Sequence, residues 1–208
     1  MSQAVSSQLY QTLDIAVSPL QPGALEILCK NKQPDKGSHS TVYHDCAQYL
    51  STELLAILQN LGLEPLYFVH FGSFANERTM SRLHTDLYKT QGTWRISPGA
   101  INWELTPGTT DWHWYDKENI PHIWPDLTGR VFSGIHHAPE PVLSTQGCVE
   151  IGHLSMARRV PYLVRTDIPH QVHYTCPEPV RMGLSVRFDP GVIATWDQAC
   201  EVLAPLMA

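Results

Sequence analysis

Short extended runs recur between residues 66 and 188 of this sequence. Runs rich in aromatic and β-branched residues alternate with clusters of Gly, Pro, Asn, Asp and Thr, a pattern that predicts strands joined by turns. We expect strands at LYFVHF (66–71), RLHTDLY (82–88), GAINWELT (99–106), RVFSGI (130–135), GCVEIGHL (147–154), PYLVRT (161–166), HQVHYT (170–175) and VRMGLSVRF (180–188). Strands this numerous and this short predict an antiparallel sandwich or barrel.

Helical periodicity flanks the strands. Apolar residues recur at helical intervals over residues 45–61, and Gly62 follows as a stop. A second helix is expected over residues 194–207, with Pro205 limiting its last turn. The fold class is therefore mainly β with flanking helices. We expect one domain over 1–208, with an N-terminal helical support region (1–62), a β core (63–190) and a C-terminal helix (191–208).

Charge and cysteine content limit the classes of binding partner and the cellular compartment that we expect. The net charge of −6 gives no footprint for a phosphate backbone, so nucleic acid is not expected as a partner. The five cysteines are odd in number and never spaced as CxxC, which argues against a disulfide framework and indicates a reducing compartment. The first 19 residues have no basic segment followed by an apolar core, and no run of about 18 apolar residues occurs, so we expect neither a signal peptide nor a membrane span. We expect a cytoplasmic protein without a membrane partner, acting on a small molecule, an amino acid or a peptide side chain.

The stretch RLHTDLYKT (82–90) places His84 and Asp86 two positions apart. On a strand these two side chains point to one face while Thr85 points to the other, so they can bind one metal ion. One further histidine would complete a set of two imidazoles and one carboxylate, which suits a non-haem iron centre. With 11 histidines in the chain the pattern also arises by chance, and a strand-edge His and Asp without a metal is the alternative.

A downstream segment contains residues that could complete a site with His84 and Asp86. In DIPHQVHYTCPEPVRMGLSVRF (167–188), a strand carrying histidines is followed by a Pro-rich turn and a strand carrying Arg181 and Arg187. The HTD motif, followed by PHQV and RMGLSVRF, resembles the iron(II)- and 2-oxoglutarate-dependent oxygenases, whose pattern is HxD…H…R. The 11 positions from His170 to Arg181 are similar to that family's spacing. The resemblance spans residues 66–188 and implies a double-stranded β-helix (jelly-roll or cupin-like) core.

The resemblance also implies a reaction and a set of site residues. His84, Asp86 and His170 would bind Fe(II), and Arg181 would bind the distal carboxylate of 2-oxoglutarate through its planar guanidinium. With O2 as the second cosubstrate, the enzyme would release succinate and carbon dioxide and hydroxylate an unactivated C–H bond. His173 lies three positions from His170 and cannot share its face on a regular strand, so only His170 is expected to be a ligand.

Strand parity extends the candidate site. Arg181, Gly183, Ser185 and Arg187 share one face of the last strand, which we expect to line the barrel. Ser185 or Arg187 could add a polar contact to the cosubstrate. Family members with an Arg-x-Ser motif have a serine where this chain has Gly183. The alternating residues Met182, Leu184, Val186 and Phe188 should meet the core between sheet and helices.

Further candidates come from the middle of the chain. Asn102 is expected to face the cavity and bind the cosubstrate, or else to satisfy local backbone groups. The segment TTDWHWYDKENIPHIW (109–124) is expected to be a loop that forms an aromatic wall over a substrate, covers the outside of the sandwich or makes a dimer contact. The candidate substrate-binding residues are Tyr88, Trp103, Trp112 and Trp114.

Two alternative hypotheses about the site remain. One is a cupin-like protein that binds a ligand without oxidative turnover. The other is an oxygenase with a three-histidine iron site, which Asp86 argues against because a carboxylate ligand distinguishes the two sets. The pair His136-His137 and His153 could belong to a different metal set, although no Cys–His zinc pattern accompanies them.

Overall fold

The computed structural model describes eight segments of the chain. These are residues 9–30, 39–74, 79–80, 83–90, 93–116, 147–175, 180–189 and 191–208. Within strands, it describes the backbone alone of residues 39–41, 70–74, 79–80, 87–90, 93–95 and 180–181. The expected strand at 130–135 lies outside the described residues.

Antiparallel strands dominate the described chain. Their bounds are β1 Tyr10–Thr12, β2 His39–Tyr43, β3 Pro65–Phe74, β4 Thr79–Met80, β5 Leu87–Thr90, β6 Thr93–Ile96, β7 Gly99–Glu104, β8 Thr109–Tyr115, β9 Glu150–Ser155, β10 Tyr162–Arg165, β11 His170–Thr175 and β12 Val180–Phe188. The expected strands at 170–175 and 180–188 match β11 and β12 residue for residue.

The strands form a jelly roll. A major sheet has the order β1-β10-β7-β12-β3-β2, a minor sheet has the order β4-β11-β8-β9, and β5 and β6 form a separate hairpin. Without β1, β2 and the hairpin, the other eight strands, counted one to eight along the chain, lie in the orders 6-3-8-1 and 2-7-4-5. These are the two interleaved sheets of a double-stranded β-helix. The expected fold class, mainly β with flanking helices around this core, is confirmed.

The helices are shorter than expected. Their bounds are α1 Ala24–Lys30, α2 Cys46–Tyr49, α3 Thr52–Asn60 and α4 Trp196–Leu203, the last followed by a 3-10 turn at Ala204–Leu206. The single helix expected over 45–61 is wrong, because Leu50 and Ser51 are extended and pair with residues 18–20. Ser51 then accepts a hydrogen bond from the Leu54 amide and begins α3 as its N-cap. No described helix has the length and apolar character needed to cross a bilayer.

Two apolar layers lie on opposite sides of the major sheet. The outer layer joins that sheet to the helices and includes Met182, Leu184 and Val186, as strand parity predicts. The inner layer fills the space between the two sheets; its buried members are Leu9, Trp112, Trp114, Leu154, Met156, Tyr162, Val164 and Val172. Ser185 and Arg187 are buried on the inner side, among the residues that line the barrel.

Two segments expected to lack strands form them. Residues 109–115 are β8 rather than a loop: Thr110, Trp112 and Trp114 are buried, while Thr109, Asp111 and His113 are more exposed. This two-residue period is the signal that the polar composition obscured. The N-terminal region, expected to be helical support, also contributes β1 and β2 to the two edges of the major sheet.

Candidate metal centre

His84 and Asp86 are placed by two separate backbone contacts. The strand expected over 82–88 is wrong for this pair, since β5 begins only at Leu87. His84 forms an isolated antiparallel bridge with His170, with N–O distances of 3.0 and 2.8 Å. The Asp86 amide donates to the Thr166 carbonyl at 3.0 Å. Residues 84–86 are therefore not part of a regular strand, and these two backbone contacts direct both side chains to the same point.

Three donor groups converge at this point. Asp86 Oδ1 lies 3.4 Å from His84 Nε2 and 3.9 Å from His170 Nε2, and the donor atoms of the three residues all lie within 4.8 Å of one another. Within the described chain, no other group of three or more His, Cys, Asp or Glu residues meets that distance. Neighbouring ligands in an octahedral site with bonds of about 2.1 Å are about 3 Å apart. Small shifts therefore suffice for these three residues to hold a metal ion.

His170 has its free nitrogen aimed into the cluster. Its Nδ1 lies 2.9 Å from the Ile168 carbonyl, which requires a proton on Nδ1 and leaves the lone pair on Nε2. Nε2 is buried and has no hydrogen-bond partner. Burial and the neighbouring His84 lower the pKa of His170 to about 3, so the imidazole is neutral at physiological pH. A neutral ring oriented by a carbonyl is the form that binds metals.

Asp86 is held as an anion by a buried arginine. Arg187 Nη2 lies 2.5 Å from Asp86 Oδ2, and the two side chains form a buried ion pair. Burial alone would raise the pKa of Asp86, but Arg187, the hydrogen bond from His84 and the charges nearby hold it well below its usual range. Because Arg187 contacts Oδ2, Oδ1 faces the two histidines.

Arg187 is the site residue whose contact with the centre was not anticipated. Its Nη1 lies 3.4 Å from both Ser97 Oγ and Thr166 Oγ1, and it is opposite Tyr67 across the β12–β3 ladder. Burial raises the pKa of Tyr67, and the charges of Arg187 and Asp86 act on it in opposite directions. Parity had placed Arg187 on the barrel face, but only the loop path of residues 83–86 brings Asp86 to it.

Ser185, Asn102 and Arg181, the residues expected to bind a cosubstrate, differ from one another in their surroundings. Ser185 and Asn102 are directly opposite each other on β12 and β7, and both are buried on the barrel side. Ser185 Oγ has no hydrogen-bond partner, whereas Asn102 Nδ2 donates to the Ala100 carbonyl at 3.2 Å. The backbone of Arg181 pairs with Ser73 at the opposite end of β12 from Arg187, and its side chain is outside the described residues.

The candidate substrate-binding aromatics do not form one surface. Trp112 lies against the His170 ring, with centroids 5.0 Å apart. Trp114 is fully buried, stacks on Trp112 and donates to the Arg165 carbonyl. Trp103 lies in the outer layer, on the side of the major sheet away from the barrel, so its position does not fit contact with a substrate. The side chain of Tyr88 is outside the described residues.

Comparisons with known proteins show a distant structural similarity. No protein-family model and no curated protein sequence matches this chain. Among solved structures, it is similar to HygX from Streptomyces hygroscopicus with iron bound, at 8% identity and a TM-score of 0.43, over 91% of this chain and 87% of HygX. A similarity this distant does not transfer a ligand or an activity.

Proposed function

We propose that this protein is a mononuclear non-haem iron(II)- and 2-oxoglutarate-dependent dioxygenase that hydroxylates an unactivated C–H bond of a small molecule, an amino acid or a peptide side chain. The observation that carries the proposal is the convergence of His84, Asp86 and His170 inside a double-stranded β-helix, with all three side chains buried. Two imidazoles and one carboxylate leave three coordination positions open, which suits a bidentate cosubstrate and dioxygen.

The chain's own groups have the chemistry that an iron site needs. His170 presents an unprotonated Nε2 with no competing partner, and Arg187 neutralises one oxygen of Asp86 while the other faces the metal position. Bound iron would supply the activation of dioxygen that no side chain can perform. The protein binds the ion, keeps Asp86 ionised and excludes bulk water by burying the site.

Unsatisfied polar atoms on the barrel wall support an anionic cosubstrate. Ser185 Oγ and Arg187 Nε are buried without hydrogen-bond partners, and both are donors that a carboxylate can use. Arg181, on the same strand face, would bind the distal carboxylate of 2-oxoglutarate. Asn102 would contribute a polar contact beside Ser185. Trp112, in contact with His170, would border the substrate.

Anaerobic reconstitution tests the proposal. Iron(II) and 2-oxoglutarate added to the metal-free protein should give a metal-to-cosubstrate charge-transfer absorption, and admission of oxygen should then yield succinate. His170→Gln should abolish both signals because it removes a neutral ligand without leaving an unpaired charge. His44→Gln, which replaces an exposed histidine outside the three donors, is the matched control and should retain both.

Tight iron binding with neither absorption nor succinate would reject the oxygenase and favour a cupin-like protein that binds a ligand without turnover. Loss of iron binding in His44→Gln to the same extent as in His170→Gln would reject the assignment of the ligands.

A further inference from the structure

A second group of histidines lies on the outer face of the minor sheet. Strand β8 lies between β9 and β11. His113 on β8 is directly opposite His153 on β9, and Asp111 on β8 is directly opposite His173 on β11. Since side chains alternate along a strand, these three histidines point away from the barrel, whereas His170 points into it. The group therefore occupies the opposite side of the sheet from the candidate iron centre.

The three rings form a row with His113 in the middle. Ring centroids are 4.7 Å apart for His113 and His153, and 4.5 Å apart for His113 and His173. Two carboxylates border the row: Glu150 Oε2 is 3.2 Å from His113 Nδ1, and Asp111 Oδ1 is 3.8 Å from His153 Nε2. Three imidazoles and two carboxylates on neighbouring strands form a dense set of nitrogen and oxygen donors.

Exposure allows an ion to reach this group. The side chains of His113 and His153 are 19% and 35% exposed, and those of Asp111 and Glu150 are 29% and 43% exposed. Burial and the neighbouring His113 lower the pKa of His173, which favours the neutral imidazole that binds metals. The two carboxylates supply negative charge to offset that of a divalent cation.

We propose that His113, His153 and His173, assisted by Asp111 or Glu150, form a second site for a borderline divalent cation such as Zn²⁺. Imidazole-rich sets with a carboxylate suit zinc, nickel and copper. The bound ion would join β11, β8 and β9, the strands that carry His170 and Trp112 on their other face. The site does not depend on the oxygenase proposal.

Binding requires the rings to turn. Three donors of this group do not lie within 4.8 Å of one another, unlike those of the iron centre. Tetrahedral zinc with bonds of about 2.05 Å places its ligands about 3.3 Å apart, and the Glu150–His113 distance of 3.2 Å already satisfies this. Rotation about the broad χ2 torsion of the half-exposed histidines is the movement needed to bring the others in.

A calorimetric titration of the full chain with Zn²⁺ tests the proposal. The unmodified protein should bind about two equivalents, one at each site. His113→Gln should lose about one equivalent and keep the other, and His153→Gln or His173→Gln should weaken the same event at least tenfold. Thr109→Ala, on the same outer face, is the matched control and should bind zinc as the unmodified protein does. Circular dichroism establishes that each variant is folded.

His84→Gln separates this proposal from the proposed function. It should lose the equivalent that His113→Gln keeps. If the unmodified chain binds a single equivalent that survives His84→Gln and disappears in His113→Gln, the second site is supported and the iron centre is not. Unchanged zinc stoichiometry and affinity in all three outer-face histidine variants would overturn the proposal, as would loss of the second equivalent only when His136 and His137 are replaced.

Discussion

Arg187 and Asp86 form a buried ion pair beside the candidate metal centre. Both side chains are almost wholly buried, at 4% and 6% exposure, and an isolated buried carboxylate would take up a proton. Arg187 prevents this and pairs with Oδ2, while Oδ1 lies nearest His84 and His170. The pair therefore acts on both the charge and the orientation of the ligand.

Replacement of Arg187 tests this role. Arg187→Met should lower the free energy of unfolding of the metal-free protein by about 3 kcal/mol, because it leaves Asp86 buried without a counter-charge. Urea denaturation measures the loss. The double variant Asp86→Asn/Arg187→Met removes both charges and should recover most of it. An equal loss in the single and double variants would show that packing of the Arg187 side chain, rather than the ion pair, is responsible.

At the scale of elements, local patterns and long-range contacts decide different boundaries. Strand β8 alternates buried and exposed residues although its composition is polar, because its buried face carries two tryptophans. The break between α2 and α3 has no such local signal. It arises because Ser51 donates through its hydroxyl to the Ser18 carbonyl and accepts from the Leu54 amide.

The cap at Ser51 is therefore expected to matter beyond its own helix. Ser51→Ala should lower the free energy of unfolding by about 1 to 2 kcal/mol, since it removes both the N-cap and the bond to residue 18. Thr52→Ala is the matched control: its exposed hydroxyl contacts only Glu53 nearby, and the change should stay within about 0.5 kcal/mol. Equal effects in urea denaturation would contradict the capping role.

In the whole molecule, the major sheet separates the apolar helical layer from the polar residues of the candidate site. Its outer face packs on α1, α3 and α4 through an apolar layer that includes Leu28, Leu54 and Leu203. Its inner face carries the polar groups Asn102, Ser185 and Arg187. Alternation along β7 and β12 produces this separation, because neighbouring residues of one strand serve opposite layers.

Damage to the helical layer should reduce stability without changing the metal site. Leu203→Ala, which truncates a fully buried side chain of α4, should cost about 2 to 5 kcal/mol in urea denaturation. Iron affinity measured on the folded variant should be unchanged. Val202→Ala, at a half-buried position of the same helix, should cost less. A large fall in iron affinity for folded Leu203→Ala would show that the two layers are coupled.

The fold class, the bounds of β11 and β12 and the layer that each β12 residue faces follow from the sequence, because a two-residue period and turn residues are local properties. The family resemblance in the sequence also implied His84, Asp86 and His170 as ligands, and the structure brings these three residues together. Tertiary contacts were needed to establish that Asp86 is held by a loop contact with Thr166 and paired with Arg187, and that the rings of His113, His153 and His173 are neighbours. These contacts join residues far apart in the chain, and their register depends on which strands pair, which no local pattern specifies.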